Sequence, residues 1–356
     1  MTVFFVVNND YQGIDAREHM VCLAAKGRDS KIIGVPHRLR EINVDFKVNA
    51  IFRGYRRWLS PFTSLGLLLQ LRWIRRHFKA GDSLIVYSEY EPINAMLAFL
   101  MKGNGGAVYL MEDGGFATYT RLMDRDVKPS SRYSDKLCAG VISALGFPNI
   151  FRWVVYGDRI QGRISERLID SVLLYRKVAN QTRIDSRYIQ YETSALTSDS
   201  SLVSNVLYLG QDLYNAYMSL EEYTSYLTSI FGYLSLQDWT ITYKPHPREN
   251  IKIAKEIAIG LDFKVHFLES AKAIENIINE YQFDLVLSHS SSACLALNLK
   301  GISTGFMIGR DLTADGNDIL CDFMKQLIFF SQNHNEELYL LDPYMPVGDT
   351  LVQICH

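Results

Sequence analysis

Residues 283–301 read FDLVLSHSSSACLALNLKG, and the order of residue types in that stretch decides the fold class. A short apolar run rich in branched side chains comes first, as in a parallel strand buried on both faces. A polar turn, Ser288–Ser292, interrupts it, and an apolar helical stretch closed by a glycine follows. Strand, turn and helix in that order make one βα unit. The same grammar recurs outward: NVLYLG (205–210) before an amphipathic stretch from Ser219 to Ser235, WTITYK (239–244) before one from Glu249 to Ile259, and FKVHF (263–267) before one near Ala271–Tyr281. In the first half the strands are Val3–Val7, Lys31–Val35, Leu84–Tyr87 and Ala107–Met111, with helices around Asp15–Lys26, Leu65–Phe78 and Pro92–Lys102. Strands alternating with helices predict parallel sheets covered on both faces.

Between the two series, from Tyr175 to Ser204, the chain becomes polar and rich in Ser and Thr, as a linker does. At 356 residues the chain also exceeds what a single core usually holds. The sequence therefore predicts an α/β protein of two facing Rossmann-like domains with a cleft between them. The first covers 1–190, the second 203–334, and a less regular tail, 335–356, crosses back to the first. Ligands bind beyond the carboxyl ends of such strands, so the residues after each strand carry the functional reading.

Composition narrows the classes. Hydrophobic residues make up 48% of the chain, charged ones 21%, and the formal net charge is −2, which removes any basis for nucleic-acid binding. The five cysteines are scattered without CxxC spacing and read as reduced, mostly buried thiols. The start, MTVFFVVNNDYQ, has neither a basic leader nor a signal-length apolar run, so a cytoplasmic location is expected. Two segments, RGYRRW (53–58) and RWIRRHF (72–78), concentrate positive charge beside tryptophan. The plainer reading is a solvated helix face with Trp73 in the core; the other is peripheral docking on anionic lipid.

Four strand-end motifs carry chemistry. MEDGG places Glu112, Asp113 and Gly114 after the strand ending at Met111. Paired carboxylates raise one another's proton affinity, so Asp113, with Glu112 second, is the candidate general base; the alternative is an acidic turn. YKPHPRE places Lys244, His246, Pro247 and Arg248 after the next domain's second strand. Prolines on both sides fix the backbone around His246, giving a rigid mount for a proton or hydrogen-bond donor, with Lys244 or Arg248 assisting electrostatically. Ser290, Ser291 and Ser292 open a helix, where hydroxyls and free amides bind anions such as phosphate; a single serine there could be only a cap. Weaker strand-end candidates are Gly210 and Gln211, with Asp212 as a helix cap in the plain reading, then Glu269 after FKVHF, and Asn9 and Gln12 in the first loop, NNDYQ. No phosphate-loop GxxxxGK[ST], GxSxG or HExxH motif occurs, and no metal site is expected.

In this order, Glu112-Asp113-Gly114, His246-Pro247 and Ser291-Ser292 resemble the motif set of bacterial GT-B-type sialyltransferases, most of all the lipooligosaccharide sialyltransferase and polysialyltransferase families. The triple serine leaves the register of the pair open. The resemblance implies a GT-B-like fold and an inverting, metal-independent transfer from CMP-sialic acid, the donor substrate, to a glycan acceptor, with no cofactor. Asp113 or Glu112 would take the acceptor's proton, His246 would meet the leaving phosphate, and the serines would hold it. A terminal galactoside of a surface polysaccharide or lipooligosaccharide is the expected acceptor, with an α2,3 linkage ahead of α2,6 and α2,8. CDP-glycerol-type polyol-phosphate transferases and UDP-hexosyltransferases share much of the pattern. A two-lobed binding protein without chemistry is the reading from another class.

Overall fold

A computed structural model describes residues 1–38, 42–48, 61–87, 92–112, 133–147, 168–175, 186–188, 203–214, 218–270, 274, 278–307, 327, 338–341 and 352–353. Its strands are β1 (Thr2–Asn9), β2 (Asp29–Arg38), β3 (Phe46–Lys47), β4 (Ser83–Val86), β5 (Ala107–Met111), β6 (Ser171–Leu174) and β7 (Ser186–Tyr188), then β8 (Asn205–Leu209), β9 (Thr240–Lys244), β10 (Val265–Phe267), β11 (Leu285–Ser288), β12 (Thr304–Met307), β13 (Leu338–Leu341) and β14 (Val352–Gln353). Its helices are α1 (Asp10–Ala25), α2 (Pro61–Arg75), α3 (Pro92–Gly103), α4 (Tyr133–Ala144), α5 (Leu220–Ser235), α6 (Ile251–Gly260) and α7 (Ser292–Leu299).

The chain divides into two compact units, the main boundary falling between Ile189 and Gln190. Each unit is built on one seven-stranded sheet, ordered β3-β2-β1-β4-β5-β6-β7 in the first and β10-β9-β8-β11-β12-β13-β14 in the second. All pairings in the first sheet are parallel. In the second, only β14 runs antiparallel to its neighbour. The two orders are the same up to that edge, and both reverse beside their first strand. This is the doubly wound arrangement, with its topological switch point between β1 and β4 in one unit and between β8 and β11 in the other. The α/β class with two Rossmann-like domains is thus present.

Burial explains why the apolar runs pair. Val3 to Val7 are all buried in β1, as are Leu84 to Val86 in β4 and Leu285 to Leu287 in β11. A strand covered on both faces gains from unbroken apolar sequence. Helix α3 is buried along most of its length from Ile93 to Met101. Helix α5 starts on a reciprocal capping box, Ser219 accepting from the Glu222 amide while Glu222 accepts from the Ser219 amide. The Ser219 amide, with the Ser219 side chain second, holds the exposed Glu222 carboxyl below its usual range.

Several expectations need correction. The first loop, NNDYQ, is the end of β1 and the first turn of α1, because Asn9 caps that helix by accepting from the Gln12 amide at 2.9 Å. β7 lies within the polar stretch read as linker and pairs with β6. The described strands of the tail extend the second sheet beyond β12 rather than crossing back, β13 by parallel and β14 by antiparallel pairing. Trp73 is not core: it is 50% exposed and meets Phe46 and His77 edge-on. Cys22 is exposed, while Cys294 is buried as expected. Among the described residues no helix is long and apolar enough to cross a membrane.

Candidate functional site

In the second unit the loops after three adjacent strands, β9, β8 and β11, hold the residues singled out by sequence. At the switch point Gln211, just past β8, accepts from the backbone amide of Ser290 at 2.8 Å and from its hydroxyl at 3.1 Å. One side chain thus ties the two diverging strands together at the edge where ligands enter such sheets.

The three serines differ in position. Ser290 is buried and its Oγ also meets His289 Nδ1 at 2.9 Å. Ser291 is the N-cap of α7, accepting from the Ala293 amide at 3.3 Å, which leaves its hydroxyl proton available to a guest. Ser292 is the first residue of the helix and partly exposed. Ser288 supports the turn by accepting from the Ser291 amide at 3.1 Å. The register left open by sequence therefore becomes a division: Ser290 braces the turn, and Ser291 and Ser292 stand at the helix mouth.

His289 was not singled out. It is 3% exposed, its ring stands edge-on to Tyr226, and its Nε2 has no hydrogen-bond partner. Burial alone pushes its pKa down to about 4, so the ring is neutral near pH 7.

The His246 loop is fixed from below by a residue that sequence assigned to a helix. Helix α6 begins later, capped by Asn250, and Glu249 turns inward instead. Its carboxylate accepts from the Tyr223 hydroxyl at 2.8 Å, from the Tyr243 hydroxyl, and from the His246 amide at 3.0 Å. Burial raises the Glu249 pKa against the lowering pull of those donors, and burial beside this carboxylate raises both tyrosines. Gly210 belongs to the same centre, since a Cβ there would collide with the Tyr243 hydroxyl and the Glu249 carboxylate. Its glycine is a packing requirement.

Within the loop, the Arg248 amide donates to His246 Nδ1 at 3.2 Å. A ring nitrogen that accepts carries no proton, so neutral His246 keeps its proton on Nε2, as a donor. Lys244 is buried at the end of β9, its ammonium donating to the Ser270 carbonyl at 3.0 Å. Pro247 is exposed, as is Arg248, whose Nε lies 3.5 Å from the buried Asp212 carboxylate. Asp212 thus faces an arginine rather than opening a helix. Glu269 is exposed and paired with Lys255.

In the first unit, Asp113 and Gly114 lie outside the described residues. Glu112 is 3% exposed at the end of β5; its amide donates to the Leu173 carbonyl and its Oε2 accepts from the Tyr175 amide, both at 2.9 Å. The Tyr175 hydroxyl in turn donates to Asp15 Oδ1 at 2.6 Å, and the Tyr87 hydroxyl to Asp15 Oδ2 at 2.6 Å. With its proton committed to Asp15, the Tyr175 oxygen accepts from His19 Nε2 at 2.7 Å. Burial pushes the Asp15 pKa up, against the lowering effects of His19 and the two tyrosines. Across the switch point, Asn94 donates to Asn8 Oδ1 at 2.9 Å, and the Asn8 amide donates to buried Gln12 Oε1 at 2.7 Å. Asn9 and Gln12 are therefore engaged in shaping the start of α1.

Of the residues sequence missed, Asp15, Tyr87, Tyr175 and Glu249 are polar side chains in or beside stretches read as apolar or helical, and His289 stands among the serines of a polar turn. The only signal was burial of a polar residue, visible once helix and strand are packed. Among the described residues no group of three or more His, Cys, Asp or Glu side chains is arranged to hold a metal ion.

The model of the family described as "Alpha-2,8-polysialyltransferase (POLYST)" matches residues 36–299. Among solved structures, a UDP-N-acetylglucosamine 2-epimerase is similar with a TM-score of 0.51 at 12% identity, covering 86% of this chain and 78% of its own. MurG of Acinetobacter baumannii is similar at 0.47 and 9% identity, with 96% and 86% covered. The spinosyn forosaminyltransferase SpnP is similar at 0.47 and 12% identity, with 97% and 87% covered. At these identities the likeness to the epimerase is one of fold alone. No curated protein matches the chain.

Proposed function

Because the chain belongs to the alpha-2,8-polysialyltransferase (POLYST) family, and is on that ground a glycosyltransferase, we propose that it moves sialic acid from CMP-sialic acid to a glycan acceptor. The observation that carries this reading is the second unit's switch point, where the Ser291 and Ser292 hydroxyls and the Ser292 amide at the start of α7 stand two strands from a histidine whose donor nitrogen is set by its own loop.

In the proposed reaction the acceptor hydroxyl loses its proton to Asp113 as its oxygen attacks the anomeric carbon. The bond from that carbon to the CMP phosphate oxygen breaks, with inversion. His246 donates through Nε2 to the departing phosphate, while the Ser291 and Ser292 hydroxyls and the Ser292 amide hold it. Glu112 is already engaged by the Tyr175 amide at 2.9 Å and is buried, which favours Asp113 as the base. Fixed donors would do the work a divalent cation does elsewhere, so transfer is proposed to be metal-independent. The family description weighs addition to an existing sialic acid, in α2,8 linkage, above the α2,3 linkage expected from sequence.

Release of CMP from CMP-sialic acid in EDTA, with lactose and a sialylated oligosaccharide offered separately, tests the proposal. The expected result is acceptor-dependent release, greater with the sialylated acceptor, and reduced by about 10²-fold or more in Asp113→Ala and His246→Ala. Consumption of CDP-glycerol or a UDP-sugar in place of CMP-sialic acid would overturn the donor assignment. Ligand binding without turnover, unchanged in His246→Ala, would overturn the enzyme.

A further inference from the structure

Helix α2 carries a feature that the transfer reaction does not use. Leu65, Leu69 and Trp73 are spaced four apart and are 58%, 57% and 50% exposed. At 100° per residue they share an arc of about 100° with Arg72, opposite the buried Leu67, Leu71 and Ile74. An amphipathic helix on a globular surface normally turns its apolar residues inward; this one is apolar on both sides. From Pro61 to Gly81 the sequence contains four cationic side chains, Arg72, Arg75, Arg76 and Lys79, and no acidic one. Among the described residues none of the four forms an ion pair; Arg75 donates to the Asn104 side chain at 3.1 Å.

We propose that this face of α2 docks on the surface of an anionic lipid bilayer, with Leu65, Leu69 and Trp73 entering the headgroup boundary and the arginines and Lys79 meeting lipid phosphates. The combination of a short apolar stripe, an interfacial tryptophan and flanking cations is complementary to that surface in both polarity and charge. A second copy of the chain fits less well, because the stretch from Pro61 to Gly81 brings no acidic side chain to meet its partner's four cations. A soluble polyanion would satisfy the cations but leave the leucines and the tryptophan in water. The docking face is independent of which sugar is transferred.

Flotation of the full chain with phosphatidylglycerol-containing vesicles and with pure phosphatidylcholine vesicles, at low and high salt, tests this. The expected result is binding to the anionic vesicles, little to phosphatidylcholine, and weakening by salt. Leu65→Gln/Leu69→Gln should lower partitioning by about tenfold or more. Arg72→Glu/Arg76→Glu should lower it by about 25-fold or more, at roughly fivefold per basic residue. The replaced leucines are exposed, so both variants should keep the wild-type circular dichroism and melting temperature. Equal flotation with both lipids, or folded variants that float like wild type, would overturn the proposal. So would a concentration-dependent dimer in sedimentation that the leucine variant dissociates without any change in flotation.

Discussion

Each unit keeps a carboxylate between the hydroxyls of two buried tyrosines at the carboxyl edge of its sheet. In the second unit the carboxylate is Glu249, which touches Tyr223, Tyr243 and the amide of His246 directly. In the first unit it is Asp15, which touches Tyr87 and Tyr175 and reaches Glu112 only through the backbone of Tyr175. The histidines differ in the same sense. His19 is bonded to Tyr175 and lies 3.6 Å from Asp15, whereas His289 is buried and, among the described residues, pairs with no carboxylate. The second centre is wired straight into a candidate catalytic loop, and the first is relayed through one residue. Disturbing the first should therefore be milder.

Glu249→Ala is the strongest way to break that contrast. It orphans two tyrosine hydroxyls and one amide, and each buried unsatisfied group costs about 1–3 kcal/mol. A loss of about 3–5 kcal/mol in urea unfolding is expected, together with a turnover loss of about 10²-fold from displacement of His246. Wild-type turnover in a destabilised Glu249→Ala would show that His246 does not depend on this centre.

Acid should test the buried state of His289. The His289 ring binds its proton at about 4 in the fold, against an ordinary value of 6.5. Between those values the unfolded chain holds more protons than the native one, so stability falls as pH drops from 6.5 and the loss is complete near 4. The contribution is about 3 kcal/mol. The raised carboxyls of Asp15 and Glu249 act in the opposite sense, because there the native state holds more protons. The difference between wild type and His289→Gln, followed by urea unfolding across that range, isolates the histidine. A difference that does not change with pH would mean that the ring is charged in the fold or reaches water.

Smaller effects are expected in the first unit. Asp15→Asn turns one tyrosine-facing oxygen into a donor and should cost about 2 kcal/mol, with turnover reduced by about tenfold. A loss as large as that of Glu249→Ala would erase the distinction between direct and relayed centres. Tyr175→Phe removes one hydroxyl but keeps the amide that holds Glu112, so it should cost about 1 kcal/mol and change turnover by under about fivefold. A larger change in turnover than in stability would make the hydroxyl itself a positioning group.

Much of the layout was legible along the chain. VFFVV, SLIV and LVL are buried on both faces, and a strand in that position has to be apolar throughout. Ser219 and Glu222 announce a helix start three residues apart. The short strands β3, β7 and β14 were not legible, because two or three residues carry no period of their own and pair only where a neighbouring edge is offered. The strand-end motifs located candidate residues of both units, but not their duties: Gly210 proved to be space for Tyr243 and Glu249, and Glu269 to be paired with Lys255.

What the sequence determined alone was the alternation of buried strands and covering helices and the order of the polar turns between them, since both are written in local periodicity and local turn chemistry. What only the tertiary structure decided was which polar side chains meet. Asp15 and Tyr175 are 160 residues apart and Gln211 and Ser290 are 79 apart. Such pairs form because the doubly wound order gathers strand ends along one edge of each sheet, and a buried polar group must find its partner there or go without.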